Sequence, residues 1–361
     1  MTGRGGGFEL LDIAGAHGCE AVHLAADPAT GMRAVVAVHS TVLGPGLGGT
    51  RFQAYPDEAM AVLDVCRLAR GMTYKHAACG NDQGGGKAVL IGDPATMRTE
   101  ALIEAYARFV DRLGGVYLTA EDVGTTQADM DLIRRVTPYV TGTSLELGGS
   151  GDPSPATAWG VRWAMAAVAE RLWGAPSLAG RHVVVLGVGK VGSALARHLR
   201  DEGARLTLSD VRPDVVGALA AELGADVVEV ADAVEVDCDV LSPCALGALL
   251  DERSIPRLGC AAVCGAANNQ LATDDDGARL AEAGILYAPD YVVNAGGVVN
   301  IAEEQAPGGY DPDRARARVE RIGDTVRRVF ALADGHGIVP AAAADRLAED
   351  RLAAAQAGQG R

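Results

Sequence analysis

The sequence is poor in aromatic residues, with Phe, Trp and Tyr making up 4% of it. Its core must therefore be packed from aliphatic chains. Positive charge is scarce too. Lys and Arg number 32 against 47 Asp and Glu, for a formal net charge of −15 and a pI near 4.9. That balance argues against nucleic acid or an anionic membrane as a partner, since both require a basic footprint. Any anionic ligand has to be held by individual lysines or by backbone amides. Long hydrophobic runs are missing: no stretch approaches bilayer-spanning length, and no apolar segment of signal-peptide length follows Met1–Gly7, so a cytoplasmic protein is expected. The 7 cysteines contain no Cys-x-x-Cys and the 7 histidines no His-x-x-x-His or His-Glu-x-x-His. Neither a disulfide framework nor a metal site is expected, and most cysteines read as small buried apolar residues.

At 361 residues the chain exceeds a typical single domain, and two domains are the natural expectation. The β-branched run Val183-Val184-Val185-Leu186 feeds Gly187-Val188-Gly189-Lys190-Val191-Gly192, a Gly-x-Gly-x-x-Gly, and then the helical spacing of Ala194, Leu195, His198 and Leu199. A second apolar strand, Leu206-Thr207-Leu208, ends in Ser209-Asp210. Strand, glycine turn, helix, strand and acid in this order mark a dinucleotide site. The glycines admit a pyrophosphate at a helix N-terminus, and the carboxylate accepts from a ribose hydroxyl.

Ahead of this unit, short strands alternate with helices. A strand is expected at Ala34–Ser40, a loop at Gly44–Arg51, a helix over 56–73, a strand at Ala88–Ile91, a helix from Glu100 to Leu113 and a strand at Val116–Leu118. Lys75 and Lys87 stand out, the second directly after Gly84-Gly85-Gly86, read here as a side-chain-free turn. A lysine beside such a backbone is costly unless something anionic or electron-rich approaches it. Asp122 falls where a parallel strand ends and a loop begins, the edge on which α/β domains build their sites. Composition shifts to Gly, Ser and Thr between Thr141 and Asp152, as at a hinge, and a long helix follows from Pro155 to Leu172. Further strands are expected at Val227–Val230, Val240–Leu241, Ala261–Val263 and Ile285–Tyr287, and a helical tail from Asp313. The expected fold is α/β in two domains with a cleft between them: a substrate and oligomerisation domain over 1–147, a Rossmann-type dinucleotide-binding domain over 148–328, and a helical segment over 329–361 packing back on the first.

Five stretches together resemble the glutamate/leucine/phenylalanine/valine amino-acid dehydrogenase superfamily, and most closely its valine and leucine branch. They are Leu43–Arg51, Met72–Lys87, Thr119–Thr125, Gly265–Gln270 and Tyr287–Gly297, in order over nearly the whole chain. The resemblance implies reversible oxidative deamination of an L-amino acid. In it, Lys75 and the backbone of Gly48 and Gly49 hold the substrate carboxylate, with Asn268 as an orienting amide. Lys87 polarises the reacting carbon's substituent and activates water, helped by a pKa lowered through desolvation and a neighbouring like charge. Asp122 holds the ammonium and shuttles protons. Asp at a loop also commonly caps a helix, and asparagines such as Asn268 commonly end strands or form turns, so those readings stay open.

The resemblance further implies a side-chain pocket of Leu47, Ala120, Val298 and Ile301, aliphatic and uncharged. A γ-carboxylate would lack a partner there, while valine, leucine and isoleucine differ by too little to separate. It implies dinucleotide contacts from Gly187, Gly189, Lys190, Val191, Gly192, Asp210, Arg212, Cys244, Ala245, Ala266, Asn268 and Asn294. Asp210 favours NAD by repelling a 2′-phosphate, although Arg212 leaves an opening for NADP. The chain departs from the family pattern at His76 and Gln83, which read either as tolerated supporting changes or as marks of altered substrate or activity. The expected function is NAD-dependent deamination of a branched aliphatic amino acid by a homo-oligomer. The alternatives are the same chemistry on another apolar amino acid, or a nucleotide-binding regulatory protein without turnover.

Overall fold

Alternating β-branched and small residues on two central strands build the first half of the molecule. The computed structural model describes residues 10–245 and 247–359, so the glycine-rich start Met1–Gly7 lies outside it. Contacts divide the chain into two units. The first takes the chain to Asp152, Ile301–Tyr310 and the chain from Glu349; the second takes Pro153–Asn300 and Asp311–Ala348. The segment beyond 329 is thus shared, going with the second unit as far as Ala348 and with the first from Glu349.

In the first unit, strands β1 (Ala21–Asp27), β2 (Met32–Ser40), β3 (Gly46–Gln53), β4 (Gly84–Ile91) and β5 (Tyr117–Glu121) lie in the order β1-β2-β4-β3-β5. β2 is antiparallel to β1 and β4, while β3 runs parallel to both β4 and β5. Strand alternation sorts the residues of β2 and β4 onto two faces. Val35, Ala37 and Val89 pack with Ala61, Val62, Val65, Cys66 and Ala69 of the helix Glu58–Cys79. Val36, Val38, Ala88 and Leu90 pack with Leu102, Ile103, Tyr106, Phe109 and Val110 of the helix Glu100–Arg112. Asp57 and Thr99 cap these helices by accepting from Met60 N and Leu102 N.

Two expectations fail here, for one reason. The segment Gly44–Arg51 is not a loop, because from Gly46 it is β3, between β4 and β5. Gly84-Gly85-Gly86 is not a turn but the start of β4. Glycine weakens strands on average, yet these glycines are demanded by close packing. A Cβ on Gly48 would stand 1.8 Å from Gly86 O, and one on Gly85 would stand 2.0 Å from Thr73 Oγ1 and 2.5 Å from Ala69 O. The glycines let a helix lie directly on the strand. The helix also runs past its expected end to Cys79, closed by Gly80 in the left-handed conformation (φ 76°), so Lys75 and His76 are helical.

The second unit is a parallel six-stranded sheet: β6 (His182–Leu186), β7 (Arg205–Ser209), β8 (Asp226–Val227), β9 (Cys238–Pro243), β10 (Cys260–Val263) and β11 (Leu286–Tyr287), in the order β11-β10-β9-β6-β7-β8. This is the doubly wound order of dinucleotide-binding domains, with the strand order reversing between β6 and β9. The strand expected at Val227–Val230 shrinks to Asp226–Val227. No helix among the described residues is long and apolar enough to cross a membrane. Among them, too, no group of three or more His, Cys, Asp or Glu is placed to hold a metal ion, and the cysteines are free thiols.

Candidate active site

Lys87 and Asp122 meet in the first unit. Lys87 lies on β4 and is buried; its Nζ is 2.7 Å from Oδ2 of Asp122, the first residue beyond β5. Arg51, from β3, brings Nε to 3.4 Å from the same oxygen and Nη1 to 3.0 Å from Oδ2 of Asp64, which also accepts from Tyr55 Oη at 2.8 Å. Burial alone would push the Asp122 carboxyl up, but the charge and hydrogen bond of Lys87, then Arg51, outweigh it and hold the pKa down at about 2. Asp122 caps no helix. Thr126 caps the next one, Gln127–Arg134, in a capping box with Asp129. Sequence reasoning treated Lys87 and Asp122 separately and missed Arg51, Asp64 and Tyr55. A signal existed, because Arg51 lies two residues beyond Gly49 and so on the same face of β3.

In the same unit, Leu47, Ala120 and Ile301 share one apolar cluster with Leu118 and Ala302. Val298, half-buried on the same short helix as Ile301, Gly296–Ala302, is not part of that cluster. Gly48 and Gly49 lie on β3, where a Cβ on Gly49 would stand 2.8 Å from the Asp122 Cβ. Lys75 is half-buried near the C-terminus of its helix. His76 is fully buried: its Nε2 is 3.1 Å from Leu47 O and its Nδ1 is 3.1 Å from Asn81 Nδ2. Gln83 has its Oε1 buried without a hydrogen-bond partner. Arg351 donates to the carbonyls of His76 and Ala77 at 3.0 and 3.2 Å and pairs with Asp82 at 2.8 Å, placing a cation at the end of that helix.

In the second unit the glycine turn joins β6 to the helix Lys190–Asp201. Gly187 has φ 100°, and a Cβ on it would meet the Ala245 Cβ at 2.5 Å; one on Gly192 would meet Gly187 O at 1.9 Å. Gly189, the helix N-cap, has no side-chain cap, and a Cβ there would meet nothing within 4 Å. Lys190 is exposed and Val191 half-buried on the first turn. Cys244 and Ala245 follow β9, with Cys244 N donating to Leu186 O at 2.7 Å, so they stand beside the turn where the strand order reverses. Asp210, just past β7, accepts from Val188 N at 2.8 Å and from Arg212 N, Nε and Nη2 at 3.0, 2.9 and 3.1 Å. The Arg212 hydrogen bond, against some desolvation, holds its pKa at about 2. Asn294 Nδ2 donates to Asn268 Oδ1 at 2.8 Å and to Ala266 O at 3.1 Å, which gathers three of the expected positions. An uncapped helix start behind an open glycine surface, with a carboxylate at the next strand end, fits a dinucleotide.

Residues 20–139 match the model of the Glu/Leu/Phe/Val dehydrogenase dimerisation domain, and residues 148–235 and 216–360 match that of Glutamate/Leucine/Phenylalanine/Valine dehydrogenase. The chain belongs to the Glu/Leu/Phe/Val dehydrogenase family. It is 53% identical over 344 residues to a valine dehydrogenase of Streptomyces albus, covering 94% of each chain. With a leucine dehydrogenase of Geobacillus stearothermophilus it shares 48% identity over 345 residues, 96% of this chain and 94% of the other. Among solved structures it resembles L-tryptophan dehydrogenase from Nostoc punctiforme, with a TM-score of 0.84, 39% identity and coverage of 96% and 99%. Members of the dehydrogenase family depend on a pyridine nucleotide, and the chain is accordingly an oxidoreductase acting on amino acids.

Proposed function

We propose that the chain catalyses the reversible, NAD-dependent oxidative deamination of a branched aliphatic L-amino acid, yielding the 2-oxo acid and ammonia. The observation that carries this reading is the pair of buried Lys87 and half-buried Asp122 at 2.7 Å, in a unit whose Leu47, Ala120 and Ile301 form a charge-free apolar cluster. A bound nicotinamide would supply the acceptor for the hydride that leaves the substrate α-carbon. The substrate carboxylate is held by Lys75 and by the amide of Gly49 beside Gly48, with Asn268 orienting it. Asp122 is ionised across the working pH range, so it accepts from the substrate ammonium and takes up the proton released as that nitrogen becomes an imine. Lys87 orients the water that adds to the imine carbon and stabilises the oxygen of the resulting carbinolamine. Asp122 returns its proton to the nitrogen, the C–N bond breaks with ammonia leaving, and the carbinolamine hydroxyl gives up its proton to solvent as the oxygen becomes the keto group.

Leu47, Ala120, Val298 and Ile301 offer no partner to a γ-carboxylate, which sets glutamate aside. Relatives named valine and leucine dehydrogenase support a small branched side chain. The carboxylate of Asp210 supports NAD over NADP. A homo-oligomer in the cytoplasm completes the reading. A second reading, the same chemistry on another apolar amino acid, draws on the buried, unpartnered Oε1 of Gln83, next in sequence to the glycines of β4. The test is NADH formation from NAD by purified protein with valine, leucine, isoleucine, phenylalanine, tryptophan and glutamate at alkaline pH. Activity confined to the branched set is expected, activity with an aromatic substrate alone would favour the second reading, and activity with glutamate would defeat the pocket assignment.

A further inference from the structure

The backbone at Gly48 and Gly49 is held in an unusual way. β3 pairs with β4 at Leu47↔Gly85 and again at Thr50↔Ala88, and that ladder lapses between them, while on the other edge Gly48 and Gly49 stay paired with Thr119 and Ala120 of β5. At this lapse two buried side chains from different elements reach the carbonyls of β3. His76 Nε2 is 3.1 Å from Leu47 O, and Tyr117 Oη donates to Gly48 O at 2.6 Å. Both side chains are fully buried, His76 on the helix Glu58–Cys79 and Tyr117 at the start of β5. The ring of Tyr117 passes over Gly86, where a Cβ would stand 2.6 Å from its Cδ2. A side chain at Gly86 would push the hydroxyl off its carbonyl.

A peptide unit is planar, so holding its carbonyl also sets the direction of the N–H on its other side. Gly46 N donates to Val116 O, so the Gly48 N–H, two residues on, also faces β5, and the Gly49 N–H faces the lapsed β4 edge. Pinning Gly48 O fixes that Gly49 N–H, and pinning Leu47 O steadies the peptide before it. Glycine needs such help more than any other residue, because its own backbone preferences are the weakest. We propose that Tyr117 and His76 are positioning residues that pin the Leu47–Gly48 and Gly48–Gly49 peptides so that the amide of Gly49 meets the substrate carboxylate in a fixed geometry. This rests on the proposed role of Gly49 in carboxylate binding. His76 can act this way only as the neutral Nε2–H tautomer. Leu47 O demands a donor, and the Asn81 amide nitrogen, itself a donor, occupies Nδ1. Burial keeps the ring uncharged, with its pKa lowered to about 3. The residue that departs from the family pattern is thus assigned a task, and Asn81 is its orienting partner.

The test compares Tyr117→Phe, which removes one oxygen, with His76→Phe and His76→Gln, using valine and NAD. A loosened amide weakens carboxylate binding in the ground and transition states alike. For Tyr117→Phe the amino-acid KM should rise roughly five- to tenfold, with kcat and the NAD KM within about twofold, the effect of losing one buried hydrogen bond. His76→Phe should act the same way, and His76→Gln, whose amide can still donate, should recover most of the affinity. An amino-acid KM unchanged in Tyr117→Phe, or a loss borne by kcat alone, would overturn the proposal. Heteronuclear NMR of the histidine ring nitrogens needs neither turnover nor a variant that folds: a His76 signal from the Nε2–H tautomer is expected, and Nδ1–H would overturn it. A wild-type enzyme silent on every amino acid would defeat the functional reading instead, leaving the pinning to be judged by the ring tautomer.

Discussion

Asp122 accepts from Lys87 and Arg51 at once, and this decides its charge. A carboxylate that must receive a substrate ammonium has to be ionised before the substrate arrives, and two neighbouring cations ensure it. Replacing Lys87 by Ala should lower turnover about a thousandfold, in the range of lost acid–base groups, while NAD binding measured by calorimetry is unchanged, since the glycine turn belongs to the second unit. The carboxyl has a folded-state pKa of about 2, below its unfolded value, so it contributes stability above about pH 4 that is lost as pH falls towards 2. Denaturant titrations of wild type against Asp122→Asn should therefore show their difference shrinking by about 2 kcal/mol over that window. His76 works on the same side of the pH scale but in a higher window. The unfolded imidazole gains a proton below about pH 6.5 and the folded one only near 3, so folding loses stability as pH drops, by up to about 1.4 kcal/mol per unit. His76→Phe should flatten that slope between about pH 6.5 and 5.

At the level of strands and helices, two glycine clusters with similar sequences do opposite work, and substitution should separate them. A Cβ on Gly85 would penetrate Thr73 and Ala69 of the helix on β4, whereas a Cβ on Gly189 would face open space. Gly85→Ala should destabilise the fold by about 3 kcal/mol or more, from overpacking against backbone that cannot yield. Gly189→Ala should change stability by no more than about 0.5 kcal/mol yet weaken NAD binding at least about tenfold, because the space it fills is where a pyrophosphate approaches the helix start. Thermal melts and calorimetry on the two variants check both outcomes. The same contrast explains what the sequence made legible. Gly187 to Gly192 were readable because β-branched residues precede them and a helical pattern follows. The reason for the glycines of Gly46 to Gly49 and Gly84 to Gly86 lies on neighbouring elements, in Gly86 and Glu121 of the adjacent strands and Thr73 of the helix on β4, and local pattern carries no trace of that. Lys87 and Asp122 could be named from their motifs, but their pairing depends on the register of β3 with β4 and β5. Tyr117 is visible only once that register is known.

On the scale of the whole chain, each unit has an apolar core of its own. Residues of β2, β4 and their two helices fill the first, and Val184, Leu241, Ile255, Val263 and Leu280 fill part of the second. The backbone passes between the units after Asp152, Asn300, Tyr310 and Ala348, so covalent continuity links them repeatedly without merging those cores. A ligand stabilises what it binds in proportion to its affinity for the folded form alone. The dinucleotide elements all lie in the second unit, so NAD at about a hundred times its Kd should add about 2.7 kcal/mol there. Hydrogen exchange should then slow about a hundredfold at the amides of β6, β9 and the Gly187–Gly192 turn, wherever exchange requires that sheet to open. Amides of β2 and β4, which sit over the other core, should change little. Equal slowing in both sheets would mean that the units open together, and no slowing in either would remove the glycine turn as the nucleotide site.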